Sequence, residues 1–190
     1  MPSDSGAREV RYPMLTYASM PQDTKRIANA NLGRGVLRSV FSGGHEYHLM
    51  LKLEDGEIIG FAVYHFEEYR LGGKDGILGV LDCVLVDERQ RRLGHGSEMT
   101  FAVFKKMSAY GVDRVEILIK QPGYMDRDGE PGVPLAGPSS ILDLLGFREI
   151  KTFHGYYRAQ SERLSYECRF CGNLPDSCKA VLYAKESLSS

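Results

Sequence analysis

The sequence predicts an α/β (α+β) domain: a mixed central sheet flanked by helices, with a small cysteine-rich hairpin inserted before the last strand. Three observations carry that expectation. Two β-rich runs, Tyr47 to Leu53 and Ile58 to Tyr64, flank Asp55-Gly56; this is a hairpin signal, because glycine accepts positive φ at the turn. Ile77 to Val86 (ILGVLDCVLV) is nearly continuous apolar sequence with β-branched members, which suits a central strand covered on both faces. A charged, glycine-bearing loop then leads into helical spacing at 97–110, where Met99, Val103, Met107 and Tyr110 share one face.

The remaining elements follow in order. Residues 10–17 read as a first strand, with Pro13 demoting part of it to a sheet edge. Pro21 to Leu32 has helical spacing, with Ile27, Ala28 and Leu32 on one side. Gly33 and Gly35 punctuate, and Val36 to Phe41 reads as a second short helix. Residues 67–76 (EEYRLGGKDG) read as a polar, glycine-rich loop. Gly111 is a C′ stop for the 97–110 helix, and Arg114 to Ile119 is the next strand. Lys120 to Pro138 holds four prolines and four glycines and reads as a loop, long enough to be a functional lid. Ser140 to Asp143 fits a capping box before a short apolar helix that stops at Gly146. Phe147 to Phe153 and Ala180 to Ala184 are the last two strands. The expected organisation is one domain over 10–186, containing a cysteine-rich insert at 158–179, with flexible tails at 1–9 and 187–190.

Composition bounds the function. With 24 Lys plus Arg against 25 Asp plus Glu, the net charge is −1, so no strong cationic field exists to hold nucleic acid or an anionic membrane. Hydrophobic residues are 43% and charged residues 26%, as in folded domains rather than disordered chains. A chain of this mass buries roughly 70% of its unfolded surface, so a core forms without disulfide staples. No run of 18 apolar residues occurs, and residues 1–20 lack an apolar signal region. The expected location is cytoplasmic, with no membrane partner and nucleic acid disfavoured.

The chemistry concentrates where the 77–86 strand meets Arg91-Arg92-Leu93-Gly94-His95-Gly96 and a helix begins at once. Exposed N–H groups and the helix dipole at such a terminus attract anions. Glycines at 94 and 96 let the backbone approach a ligand where a Cβ would collide. Arg91 and Arg92 add charge for phosphate oxygens. A dinucleotide fingerprint would need a third glycine where Met99 sits, and a P-loop would need Gly-Lys-Ser/Thr. The segment does match Q/R-x-x-G-x-G/A, with Arg91, Gly94 and Gly96 at the three fixed positions. It thereby resembles the pyrophosphate loop of the GNAT superfamily of acyl-CoA-dependent N-acyltransferases.

That resemblance extends over roughly 10–160 and 179–186. The order of elements is similar, Leu144-Leu145-Gly146-Phe147 resembles the family's short helix ending in Leu-Gly-Phe, and Val181 to Lys185 resembles its last strand. It implies an N-acetyltransferase moving an acetyl group from acetyl-CoA to a primary amine of a small molecule or protein, with a homodimer as a compatible assembly. By position, the backbone of Val84, Leu85 and Val86 would pair with the pantetheine arm. Amides of Arg91, Arg92, Leu93, Gly94, His95 and Gly96, with Ser97, would cradle the pyrophosphate. The family's usual acid, a Tyr four residues before the Gly of Leu-Gly-Phe, is Leu142 here. Tyr124, Tyr156 and Tyr157 are the substitutes the sequence offers.

Asp82 is the one carboxylate inside the apolar strand. Desolvation would raise its pKa, as a general base requires. Counting along the strand places it on one face with Val84 and Val86. Asp126, Asp128 and Glu130 make the long loop acidic, which suits a cationic amine; a solvated loop explains them equally well. His45, His48 and His65, on or near the hairpin, read as packing or surface residues.

The four cysteines are Cys83, Cys168, Cys171 and Cys178. Cys168-Arg169-Phe170-Cys171-Gly172 has the shape of a zinc knuckle. With Cys178 and either Asp176 or His154 it would hold a structural zinc that folds a hairpin unable to bury a core alone. Three free thiols or a redox pair are the alternatives. Two further functions therefore stay open: a non-catalytic acyl-CoA-binding module using the cysteine insert to contact a partner, and a redox protein.

Overall fold

A computed structural model of the chain describes residues 7–10, 15–32, 36–122, 142–154 and 178–186. The strands are β1 (Ala7–Val10), β2 (Tyr47–Glu54), β3 (Glu57–Leu71), β4 (Lys74–Val86), β5 (Arg114–Pro122), β6 (Arg148–His154) and β7 (Cys178–Glu186). The helices are α1 (Gln22–Leu32), α2 (Val36–Val40) and α3 (His95–Ala109). All seven strands join one sheet in the order β1-β2-β3-β4-β5-β7-β6, which puts β4 at its centre. Neighbours are antiparallel except β4 and β5. A parallel pair needs a crossover, and α3 supplies it. The expected mixed sheet with flanking helices is what forms.

The β2–β3 turn is the expected one: Asp55 and Gly56 both take positive φ, 50° and 83°, the two-residue geometry whose twist matches the flanking strands. Several boundaries differ from expectation: β5 continues through Pro122 into the stretch expected as a loop, β7 begins at Cys178 within the expected insert, and α3 begins at His95 rather than 97. The polar stretch 67–76 is not a loop; β3 and β4 stay paired out to Leu71↔Lys74 around Gly72-Gly73. Two consecutive glycines with positive φ close that turn, so the ladder continues although the side chains are polar. The first strand is Ala7–Val10, on the sheet edge against β2, so it begins within the segment 1–9 expected as a tail and ends at Val10, where the strand was expected to start. Thr16 to Ser19 forms a turn in which the Ser19 Oγ accepts from the Thr16 N–H at 2.9 Å.

The sheet buries both faces. On one, α3 lays Val103, Phe104 and Met107 over Met50, Ala62, Tyr64, Leu81, Val115 and Ile117, with Met99 also buried. Leu142 and Phe147 join this face, with the Phe147 ring stacked on Phe104 at 5.0 Å. On the other, α1 and α2 bring Ile27, Ala28 and Leu37 against Leu49, Leu51, Phe61, Val63 and Leu85. Tyr110, expected on the buried stripe, is 57% exposed, because α3 ends there. The Val112 N–H reaches back to the Met107 carbonyl at 3.2 Å and the Gly111 N–H to Ser108 at 3.0 Å, a Schellman closure with Gly111 at C′. Gly146 closes the turn at Leu142–Leu144 in the same way.

Gly60 sets how closely α3 approaches the sheet. A Cβ there would lie 2.9 Å from both the Leu85 carbonyl oxygen and the Met99 Cε. The Met99 tip can move but the β4 backbone cannot do so cheaply. Gly60→Ala is therefore expected to destabilise the fold by about 1–3 kcal/mol, read as a lower urea midpoint at unchanged slope.

Candidate active site

The β4–β5 ladder runs only from Leu78↔Arg114 to Leu81↔Ile117, although β4 continues to Val86 and β5 to Pro122. Beyond Leu81 the two central strands part. β5 stays paired with β7 to its end, and β4 with β3. The parting coincides with a bulge: Val63 pairs with Cys83 and Tyr64 with Leu81, so Asp82 is the extra residue. A bulge re-aims side chains, and here it changes the phase of the strand. Leu81 and Val84, three residues apart, both pack on the α3 side, while Cys83 and Leu85 pack on the α1–α2 side. Asp82 turns to the α1–α2 side as well, where its Oδ2 meets His65 Nδ1 at 2.7 Å. Simple alternation had paired it with Val84 and Val86; the bulge overturns that.

From Val86 the chain reaches the α3 N-terminus through an anchored loop. The Asp87 Oδ1 accepts from the Arg89 N–H at 3.1 Å, and its Oδ2 accepts from Arg26 Nη1 of α1 at 2.8 Å. These contacts hold the Asp87 carboxyl below its ordinary range, the Arg89 backbone bond most of all. Arg91, Arg92 and Leu93 are exposed. Gly94, with φ 87°, is the helix N-cap and supplies no side-chain cap. The first N–H groups of α3 are thus left facing out of the helix, as an anion site needs. Gly96 lies in the first turn, where a Cβ would touch only Val86 Cγ2, at 3.7 Å. Nothing in the fold requires glycine there, so the open space fits a ligand passing between the α3 terminus and the end of β4. Beneath the terminus, the buried Lys52 ammonium donates to Glu98 Oε1 and Oε2 at 2.8 and 2.9 Å. That pair fixes α3 to β2. The His95 ring is turned inward, its Nδ1 4.0 Å from Glu98 Oε2.

Around Asp82 lies a polar cluster that the sequence reading did not single out. His65 is 4% exposed. Its Nδ1 faces Asp82 and its Nε2 lies 2.9 Å from Glu67 Oε1. The His45 ring stacks on His65 at 4.2 Å, and Tyr47 meets His65 edge-on at 5.2 Å. The Tyr47 hydroxyl donates to the Val40 carbonyl at 2.6 Å. Burial pushes the Asp82 carboxyl above its ordinary range, with the His65 contact opposing. Burial disfavours the charged His65 ring, but the hydrogen bonds and charges of Asp82 and Glu67 outweigh it and raise the imidazole. Burial and the Asp82 charge raise the Tyr47 phenol. Burial also pushes the neighbouring Cys83 thiol well up, which makes it a poor nucleophile. Ligand atoms of His45, His65 and Glu67 lie within 4.8 Å of one another. The two imidazoles are nearly parallel, 22° apart, so their in-plane lone pairs do not converge on one ion.

The histidines were legible as residues but not as a site. His65 and Glu67 share a strand face by parity, and Asp82 continues the face of Val80 and Leu78, which pair with them, while the bulge separates it from Val84. Leu142, at the position of the family's usual acid, is 3% exposed in the α3-side core and has no proton to give. Tyr124, Tyr156, Tyr157, Asp126, Asp128, Glu130, Cys168, Cys171 and Asp176 lie outside the described residues. Of Cys178 the backbone is described, paired with Pro122. His154 is exposed at the end of β6. The zinc expectation therefore rests on sequence spacing alone.

Comparison with known proteins agrees with this fold. The chain superposes on the Bacillus subtilis acetyltransferase solved in complex with CoA (TM-score 0.61, 12% identity, 96% of this chain and 99% of that one). An IAA acetyltransferase from Bacillus cereus gives 0.60 at 13% identity, over 95% of this chain and 97% of that one. A GNAT family acetyltransferase from Elizabethkingia anophelis with acetyl-CoA bound gives 0.58 at 14%, over 96% and 99%. At such identities the likeness establishes the fold. A search of the curated proteins returned no match. No helix among the described residues is long and apolar enough to cross a membrane. The family model "Acetyltransferase (GNAT) family" matches residues 16–123, more than half of the 190; the chain belongs to that family, and its chemistry is acetyl-CoA-dependent acetyl transfer.

Proposed function

We propose that the protein transfers the acetyl group of acetyl-CoA to a primary amine of a small molecule or protein by direct attack of the amine on the thioester, with Asp82 as general base. The observation that carries this is the coincidence of the β4 bulge with the end of the β4–β5 ladder. A largely buried carboxylate, its side chain 15% exposed, stands where the central strands part and faces away from α3. The α3 terminus, with Arg91, Arg92, Leu93, Gly94, His95, Gly96 and Ser97, would hold the diphosphate. The edge of β4 from Val84 to Val86 would run beside the pantetheine arm. The acyl group would then reach the gap from the α3 side and the amine from the α1–α2 side.

Each residue has a limited task. An amine attacks only when neutral, so Asp82 accepts its proton as the C–N bond forms. A backbone N–H of β4 near Val84 would donate to the oxygen that gains negative charge, a role suited to a rigid strand. As the C–S bond breaks, the thiolate takes its proton from water or from a residue other than Leu142. Asp82 at the gap favours an acceptor carrying positive charge elsewhere.

Free CoA release is the direct test. Purified protein is incubated with acetyl-CoA and, in turn, polyamines, amino acids, aminoglycosides, and peptides with free N-termini or lysines. Release dependent on at least one amine class is expected, with acetate on nitrogen by mass spectrometry. Tight acetyl-CoA binding with no amine-dependent release across the panel would instead establish the non-catalytic binding module.

A further inference from the structure

We propose that His65 is a positioning residue of this acetyl transfer: a buried imidazolium, clamped from behind by Glu67, that aims and holds the Asp82 carboxylate at the parting of β4 and β5. This rests on the reading of Asp82 as base and adds two residues to it.

The argument begins with hydrogen-bond capacity. A neutral imidazole has one N–H and one lone pair. His65 places both ring nitrogens against carboxylate oxygens, Nδ1 at 2.7 Å from Asp82 and Nε2 at 2.9 Å from Glu67. An ionised carboxylate only accepts, so with Asp82 and Glu67 both ionised the two contacts are hydrogen bonds only when the ring carries two protons. The ring is 5% exposed in its side chain, against 37% for Glu67, so water is a poor substitute partner. A charged ring in this place requires the carboxylates, and Asp82 in turn is tied to it. The other groups facing the pair are His45, from the segment before β2, Tyr47 on β2 and Cys83 on β4. One strand further, Glu116 lies on the same face of β5 but is bonded to Arg114 at 2.9 Å. None of these replaces the His65 contact to Asp82.

The arrangement resolves a difficulty in the proposed base. Burial alone would leave Asp82 protonated over a wider pH range than an ordinary carboxylate. The imidazolium opposes that while fixing one oxygen, which leaves the other for the amine. Glu67 acts one step removed: it holds Nε2–H and so keeps the ring charged and its orientation fixed. The contact follows the phase of the lower half of β4: Asp82 continues the face of Leu78 and Val80, which pair with Glu67 and His65, and the bulge shifts the phase only from Cys83 onward.

The test uses the full-length protein, its acceptor found by CoA release. His65→Gln keeps a donor of similar reach but no charge. The acid limb of kcat/KM is expected to move up by roughly one pH unit, with kcat near neutrality falling on the order of 10-fold. The KM for acetyl-CoA should stay within about 2-fold, since the α3 terminus is untouched. A merely structural histidine would lower stability and leave the limb where it is. His65 is buried, so NMR titration of its ring in the parent protein gives a second reading that needs no substitution there. Its midpoint should lie above the ordinary imidazole value and fall in Asp82→Asn and in Glu67→Ala. An unmoved acid limb in folded His65→Gln, or a ring that titrates at its ordinary value, overturns the proposal. Lack of amine-dependent CoA release by the parent would refute the acetyl transfer itself.

Discussion

Asp82→Asn is expected to lower kcat by about 10²–10⁴-fold while acetyl-CoA still binds. Asn has nearly the shape of Asp, and its carbonyl oxygen still accepts from His65 Nδ1–H, so the bulge and the clamp geometry survive. What is lost is the ability to take a proton. The sign of the pH dependence follows. The active form of Asp82 is the carboxylate, so activity falls as pH drops through its folded pKa. Burial places that pKa above the ordinary carboxylate range, with the His65 bond limiting the rise. The parent protein should therefore lose kcat/KM on the acid side at a higher pH than an exposed aspartate would dictate. Asp82→Asn should show a low profile without that limb. Stopped-time CoA-release assays across pH, with acetyl-CoA affinity by calorimetry on the same samples, separate base chemistry from binding. A variant that retains kcat within about 3-fold removes Asp82 from the reaction.

Much of this arrangement was legible in the sequence because local chemistry dictates it. Asp55-Gly56 closes a two-residue turn by its backbone preferences alone, and Gly111 and Gly146 stop helices for the same reason. The apolar density of Ile77 to Val86 marks a strand buried on both sides wherever it occurs. Arg91, Gly94 and Gly96 point to an anion site by residue type and spacing, and they adjoin the α3 N-terminus, which carries no side-chain cap. The illegible features depend on pairing between strands. Polar residues 67–76 belong to strands only because β3 and β4 are already zipped below them. The bulge at Asp82 is a register event between Val63↔Cys83 and Tyr64↔Leu81, and no composition rule marks the extra residue. It shifts the phase of Cys83 to Val86 against Leu78 to Asp82, so Asp82 shares a face with His65 and Glu67 and not with Val84. Leu142 carries the converse lesson: its position matched a family acid, but its side chain is plain core.

Gly96→Val should raise the KM for acetyl-CoA by about 10–100-fold, corresponding to roughly 1.4–2.8 kcal/mol, with little change in kcat at saturation. Two glycines adjoin the α3 terminus for different reasons, and the contrast makes the result diagnostic. Gly94 takes φ 87°, which disfavours any side chain, so a substitution there acts through the fold. Gly96 is helical, and a Cβ would find ordinary contact with Val86 Cγ2 at 3.7 Å. Valine is a better helix former than glycine, so thermal stability of the variant should be equal or slightly higher. A side chain at 96 instead fills the approach between the α3 N–H groups and the end of β4, where the diphosphate would lie under the proposed function. Stability and cofactor affinity would then move in opposite directions, which a packing defect does not produce. Unchanged acetyl-CoA KM in Gly96→Val, with the fold intact by circular dichroism, would show that the ligand does not cross the α3 terminus at that residue.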